Sequence, residues 1–283
     1  MFGTQFLTAE GLFMFDKRPI GVFDSGLGGL TMVKKLTTLL PGENIVYLGD
    51  TGRVPYGSRS KETIIKYAHQ DAAFLAGFDI KAMVIACNTV CSVAYNDLVK
   101  NYGIPVYEVV GAPAKTASEQ TKSGKIGVIG TAATIRSRAY ETALRNINID
   151  LDVRSVACAL FVPLVEEGWI DSADEAALRV AERYLDCLRK SGVDALILGC
   201  THYPLLREVI QKIMGPEVLL VDSGAETAKY VAKDLSKRNM LCGEETGGST
   251  RYFVTDSIEG FSNVASKYLE SDVQGLVEQV TLE

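Results

Sequence analysis

Histidine, tryptophan and net positive charge are all scarce in this chain of 283 residues. There are two histidines, His69 and His202, and one tryptophan. With so little imidazole and no Cys-x-x-Cys pair, the ligands of a zinc site are missing. Lys and Arg number 29 against 35 Asp and Glu, a formal net charge of −6. No basic patch stands out along the chain, which argues against a nucleic-acid surface and disfavours acidic partners. No run approaches the ~18 apolar residues of a membrane span. The six cysteines lack framework spacing, and a chain this long does not need disulfide staples, so a reducing cytoplasm is expected. Residues 1–18 lack the charged start and apolar block of a signal peptide. They are read as a flexible leader, with Met14 as an alternative start.

What the chain does have is apolar sequence in short blocks. Hydrophobic residues make up 47% of it, enough for a substantial core in one large or two modest domains. Apolar runs recur at 19–24, 44–50, 82–87, 105–110, 125–130, 151–157, 195–200, 218–222 and 251–255. Most are rich in Val and Ile and nearly unbroken, as strands covered on both faces are. Between them lie helical periods. Residues 62–76 place Ile65, Ala68, Ala72 and Leu75 on one face, and 172–190 do the same with Leu178, Ala181, Leu185 and Leu188. Strand and helix alternate from end to end, which predicts an α/β fold with mostly parallel sheets. The chain also repeats itself: Ile20-Gly21-Val22-Phe23-Asp24-Ser25-Gly26 and Ile126-Gly127-Val128-Ile129-Gly130-Thr131-Ala132 each open a unit. Two pseudo-symmetric domains are expected, 19–111 with 222–283 and 112–221, enclosing an active site in the cleft between them.

Each unit carries a cysteine in the same setting. Ala82-Met83-Val84-Ile85-Ala86-Cys87-Asn88-Thr89 and Ala195-Leu196-Ile197-Leu198-Gly199-Cys200-Thr201-His202 both read as strand, turn and helix. A thiol at the amino end of a helix meets unpaired N–H groups and a dipole that favour the thiolate. Half-ionising a cysteine of pKa ~8.5 at neutral pH takes roughly 2 kcal/mol. A helix terminus supplies up to ~2 kcal/mol and burial takes some back, so a neighbour must assist. Asp24 and His202 are the candidates. A buried cysteine is ordinarily a small hydrophobe, and Cys91, Cys158, Cys187 and Cys242 are read that way.

The segment Asp24-Ser25-Gly26-Leu27-Gly28-Gly29 imitates a dinucleotide loop, but Thr31 stands where the third glycine belongs, and Asp50 alone does not complete the pattern. These glycines are expected to bring the backbone close to a small substrate, with Ser25 and the turn N–H groups binding a carboxylate or amine. In Asp50-Thr51-Gly52-Arg53-Val54-Pro55-Tyr56-Gly57, the Tyr56 hydroxyl and Gly57 N–H supply donors to the same strand-end face. Asn88, Thr89, Thr201 and Thr131 to Thr134 add more, an inventory suited to a small zwitterion. Glu166, after an apolar run, is placed to orient His202, whereas Glu167 reads as solvated.

The motifs Val22-Phe23-Asp24-Ser25-Gly26, Val54-Pro55-Tyr56-Gly57, Ala86-Cys87-Asn88-Thr89, Pro163-Leu164-Val165-Glu166 and Gly199-Cys200-Thr201-His202-Tyr203-Pro204 occur in one order over residues 18–269. In this the chain resembles the glutamate racemases of the cofactor-independent aspartate/glutamate racemase superfamily. It departs from their pattern in its leader and in Gly52, commonly Ala. The resemblance implies racemisation by two bases, without pyridoxal phosphate or any other cofactor and without metal. Cys87, assisted by Asp24, would act on D-glutamate. Cys200, assisted by His202 with Glu166 as helper, would act on L-glutamate. Substrate contacts would fall on Asp24, Ser25, Tyr56, Gly57, Asn88, Thr89, Thr201 and His202. It further implies a homodimer in a bacterial cytoplasm supplying D-glutamate for peptidoglycan, with no nucleic-acid or membrane partner. Some relatives also restrain DNA gyrase, and others bind a cell-wall precursor through a longer amino end, a role that nothing in this leader supports.

Aspartate racemase is the near alternative, since the pocket reads side-chain length. A cysteine hydrolase built on Cys200 and His202 is the distant one, and a base two residues from its nucleophile suits it poorly.

Overall fold

The computed structural model describes residues 15–273 and 275–282, so residues 1–14 of the expected leader lie outside the described residues. Residues that follow are tied down: the Asp16 N–H donates to the Leu241 carbonyl at 3.1 Å, and buried Lys81 donates to the Asp16 carbonyl at 2.6 Å.

The strands are β1 Ile20–Asp24, β2 Ile45–Gly49, β3 Ala82–Ile85, β4 Val106–Tyr107, β5 Lys125–Gly130, β6 Asp152–Ala157, β7 Ala195–Gly199, β8 Leu219–Asp222, β9 Thr250–Val254 and β10 Val277–Gln279. Every apolar run read in the sequence carries one. The run at 105–110 is cut to two residues, and β10 has no counterpart among those runs. Two sheets form, in the orders β10-β9-β2-β1-β3-β4 and β6-β5-β7-β8. All their pairings are parallel.

The internal repeat is visible in these orders. In each sheet the opener, β1 or β5, is central. The next strand lies on one side of it and the cysteine strand, β3 or β7, on the other, with β4 or β8 beyond. The order reverses at the opener, the place where the strand ends of an open parallel sheet leave a crevice. The chain leaves the six-stranded sheet after β4, completes the four-stranded one, and returns for β9 and β10.

Period-two alternation assigns the faces of the second sheet. Ile126, Val128, Ala195 and Ile197 join the core around the six-stranded sheet, while Ile129, Leu196 and Leu198 pack in a separate cluster with Phe161, Leu185 and Tyr203. The helix Lys61–Ala76 starts at Ser60, whose hydroxyl accepts from the Thr63 N–H. Its buried residues are Ile64, Ala68, Asp71, Ala72 and Leu75. Ile64 therefore takes the place expected for Ile65, and a carboxylate sits on the inner face. The helix expected from 172 begins at Glu175, because the Asp174 carboxylate caps the Ala177 N–H. Among the described residues no helix is long and apolar enough to cross a membrane.

Candidate active site

A cavity of about 390 Å³ opens at the strand ends and receives Cys87 from the six-stranded sheet and Cys200 from the four-stranded one. Of the expected site residues, Ser25, Tyr56, Gly57, Asn88, Thr89, Glu166, Thr201 and His202 line it with them. Asp24 does not: it is fully buried at the end of β1.

Cys87 caps the helix Asn88–Asn101 with extended backbone angles, as expected, and its thiol donates to the Ser25 hydroxyl at 3.4 Å. The favoured thiolate is absent there. Burial, and then the charge of Asp24, push the Cys87 thiol up to about 12, against the help of Ser25 and the Val90 N–H. A helix terminus stabilises a charge by too little to offset removal from water.

Asp24 explains the glycine loop. Its Oδ2 accepts from the N–H groups of Gly26 at 3.2 Å and Gly29 at 2.9 Å, while Oδ1 is buried without a hydrogen-bond partner. Those turn N–H groups hold this carboxylate, not the substrate group expected of them. Burial raises the Asp24 pKa, with His202 and the N–H groups opposing. Glycine at position 28 serves a further contact. A Cβ there would lie 2.1 Å from the Thr201 hydroxyl oxygen and 2.8 Å from His202 Nδ1, so only glycine lets the second unit come this close.

The second half-site differs from its expected copy. Cys200 follows β7, but a turn and the 3₁₀ segment Tyr203–Leu206 separate it from the helix Arg207–Met214. Its neighbour takes the place of a helix end: His202 Nδ1 lies 3.9 Å from the Cys200 sulfur, and Nε2 lies 3.2 Å from Glu166 Oε1. Burial disfavours the imidazolium, yet Cys200 and Glu166, with the charge of Asp24 behind them, push His202 up to about 10. The imidazole sits within hydrogen-bond reach of the Cys200 sulfur on one side and of Glu166 on the other. The cavity thus holds two sulfurs, one beside a helix start and a buried carboxyl group, the other beside an imidazole.

Two other expected donors, Tyr56 and Asn88, are committed to the scaffold. The Tyr56 hydroxyl bonds Asp50 and, at 3.2 Å, Asp71, so its ring and backbone form the wall. Asn88 donates to Ser223 at 3.3 Å and accepts from Tyr140 at 2.5 Å. Thr89 and Thr131 share a hydrogen bond of 2.9 Å that joins the two units, and Thr131 caps the helix Ala132–Ser137. Thr131 follows β5 as Ser25 follows β1, a correspondence readable from the repeat. Ser58, Ala159 and Val162 also line the cavity, and no motif marks them. Cys91 is a buried scaffold thiol donating to the Ile85 carbonyl at 3.1 Å. Cys158 and Cys242 are buried too, whereas Cys187 is exposed, contrary to its reading as a core residue.

The Asp/Glu/Hydantoin racemase family profile matches residues 20–231. A glutamate racemase from Geobacter metallireducens is 48% identical over 266 residues, 94% of this chain and 97% of its own. Among solved structures, a glutamate racemase isoform from Bacillus anthracis aligns with a TM-score of 0.89 at 39% identity, covering 93% of this chain and 97% of the other. The glutamate racemase of Francisella tularensis in complex with D-glutamate aligns with a TM-score of 0.88 at 39% identity, covering 95% and 99%.

Proposed function

Because the chain belongs to the Asp/Glu/Hydantoin racemase family, we propose that it interconverts L- and D-glutamate by passing the α-proton between two cysteines. The observation that carries this reading is the pair of free thiols lining one cavity, each from the strand end of a different sheet. With L-glutamate bound, the Cys200 thiolate takes the α-proton, and the Cys87 thiol protonates the opposite face of the planar carbanion. Cys87 is then the thiolate and Cys200 the thiol, the form that accepts D-glutamate. Asp24, behind Cys87, and His202 with Glu166, beside Cys200, assist their own sulfurs. The substrate's polar groups meet Ser25, the Gly57 backbone, Thr89 and Thr201. Fixed dipoles and exclusion of water stabilise the carbanion.

In this reading residues 19–111 and 222–283 form the first domain and 112–221 the second. The enzyme supplies D-glutamate for peptidoglycan in the cytoplasm. It works as a homodimer, which sedimentation of the purified chain tests. The deciding experiment is circular dichroism of L-glutamate incubated with the protein in deuterated water without added cofactor. Loss of the signal with deuterium in the D-product is expected. An unchanged signal with glutamate and loss of signal with aspartate would reassign the substrate.

A further inference from the structure

Beneath the Val54–Ser58 wall of the cavity lies a polar cluster that the racemisation steps do not use. Asp50 and Asp71 are both fully buried, and one guanidinium serves them: Arg53 Nε donates to Asp50 Oδ2 at 2.6 Å and Nη2 to Asp71 Oδ1 at 2.9 Å. Nη1 donates to the Gln70 side chain at 2.6 Å, and the guanidinium lies 4.2 Å over the Tyr67 ring. Two carboxylates facing one cation leave an uncompensated buried charge if both are ionised, a costly arrangement.

The hydrogen count shows how the cluster avoids it. The Tyr56 hydroxyl has one proton, yet its oxygen contacts both Asp50 Oδ2 and Asp71 Oδ2. Both contacts are full hydrogen bonds when one of the carboxyl groups donates its own proton to the phenol oxygen. Asp50 already accepts from Arg53 and, at 2.7 Å, from the Thr255 hydroxyl, so its oxygens are taken up as acceptors. Apart from the Tyr56 contact, the Asp71 carboxyl group has Arg53 as its one donor among the described residues. Burial, then the charge of Asp50, also raise the Asp71 pKa well above the usual carboxylate range.

We infer that Asp71 is a positioning residue for the substrate wall: held as a neutral carboxylic acid, it donates to the Tyr56 oxygen, Tyr56 donates to Asp50, and Arg53 closes the chain. Tyr56 is thereby fixed at its hydroxyl, and Gly57 is held against Thr131, where a Cβ would lie 3.0 Å from the threonine Cβ. The main chain that faces the ligand keeps its place while the phenol faces away from it. The choice of glutamate as ligand rests on the function proposed above, and the protonation of Asp71 does not.

The test has two readouts. In infrared difference spectra of wild type against Asp71→Asn at neutral pH, the wild type is expected to show the carbonyl stretch of a neutral carboxylic acid. A carboxylate band there overturns the inference. In kinetics, Asp71→Ala is expected to raise KM for glutamate about tenfold, the size of one buried hydrogen bond lost, with kcat little changed. Asp71→Asn is expected to restore KM, because its amide donates to Tyr56 while its carbonyl accepts from Arg53. If Asp71→Asn is as impaired as Asp71→Ala, the charged carboxylate is what matters and the inference falls. Should Asp71→Ala lose its folded circular dichroism, Tyr56→Phe removes the same link and carries the KM test, with an unchanged KM counting against the inference. A wild type inactive on glutamate defeats the proposed function and leaves the infrared result to judge Asp71.

Discussion

Cys87 and Cys200 leave equivalent strands of two sheets built to one plan, and the groups placed around the two sulfurs differ. Cys87 has the helix terminus, but it is buried with a carboxylate, Asp24, behind it, and its thiol is held at about 12. Cys200 has no helix directly after it, and it has an imidazole held near 10 by the sulfur and Glu166. Repetition of the backbone therefore supplies two places for a sulfur, and the side chain two residues later or at the neighbouring strand end makes their surroundings unequal. The proposed relay requires the two sulfurs to start in different forms, because two thiols would lack a base and two thiolates would lack an acid.

The most severe way to break the comparison is to remove either sulfur. Cys87→Ser and Cys200→Ser are each expected to lower racemisation about a thousandfold or more, since each removes a group that must transfer a proton. Near-normal turnover in either variant would refute a two-base reaction.

Exchanging the assistants sharpens it. His202→Asn is expected to lower kcat by roughly ten- to a hundredfold, more for L-glutamate than for D-glutamate. Asp24→Asn is expected to show the opposite preference. Enantiomers are equal in free energy, so kcat/KM must fall equally for both, and the asymmetry is read in kcat with a compensating change in KM. Equal kcat losses in both directions would separate these residues from their assigned sulfurs.

The smallest effect is expected at Glu166, whose side chain is 42% exposed. Glu166→Gln is expected to lower kcat by up to about fivefold, the scale of a partly exposed ion pair. It also moves the alkaline limb of the pH profile to lower pH, because His202 loses one of the groups that raise its pKa. The sign for stability follows from the same shift. The His202 pKa in the fold, about 10, lies above its unfolded value of ~6.5. Its stabilising contribution is complete below ~6.5 and is lost as pH rises toward 10. The wild-type melting temperature should fall over that interval, and that of Glu166→Gln should fall less. An unchanged alkaline limb would remove Glu166 from the His202 environment.

Much of this site was legible because apolar blocks and a repeat are local signals. The strands up to β9 and the cysteine at each strand end could be read from spacing. Glu166 was a candidate partner of His202 through its place after an apolar run and the family resemblance, and the two lie 3.2 Å apart. What escaped has physical causes. β10 is the three-residue edge strand Val277-Glu278-Gln279 and carries no apolar run. Asp71 sits on the buried face of its helix, where hydrophobic periodicity predicts no charge, and its partners come from the loop Asp50–Tyr56. The Tyr56 hydroxyl and the Asn88 amide are residue types that bind substrates elsewhere, and only the three-dimensional arrangement reveals that they are already engaged. The turn after Cys200 departs from the helix that follows Cys87 through Tyr203 and Pro204, which form a 3₁₀ segment.

The strand order also has a consequence for how the protein is made. β2 pairs with β9, Ile45 opposite Thr250, and everything between them, including the whole four-stranded sheet, is synthesised first. On the ribosome, β2 therefore remains an open, apolar edge for most of translation, a template for wrong pairing of the kind that nascent-chain chaperones shield. That edge is closed when β9 emerges.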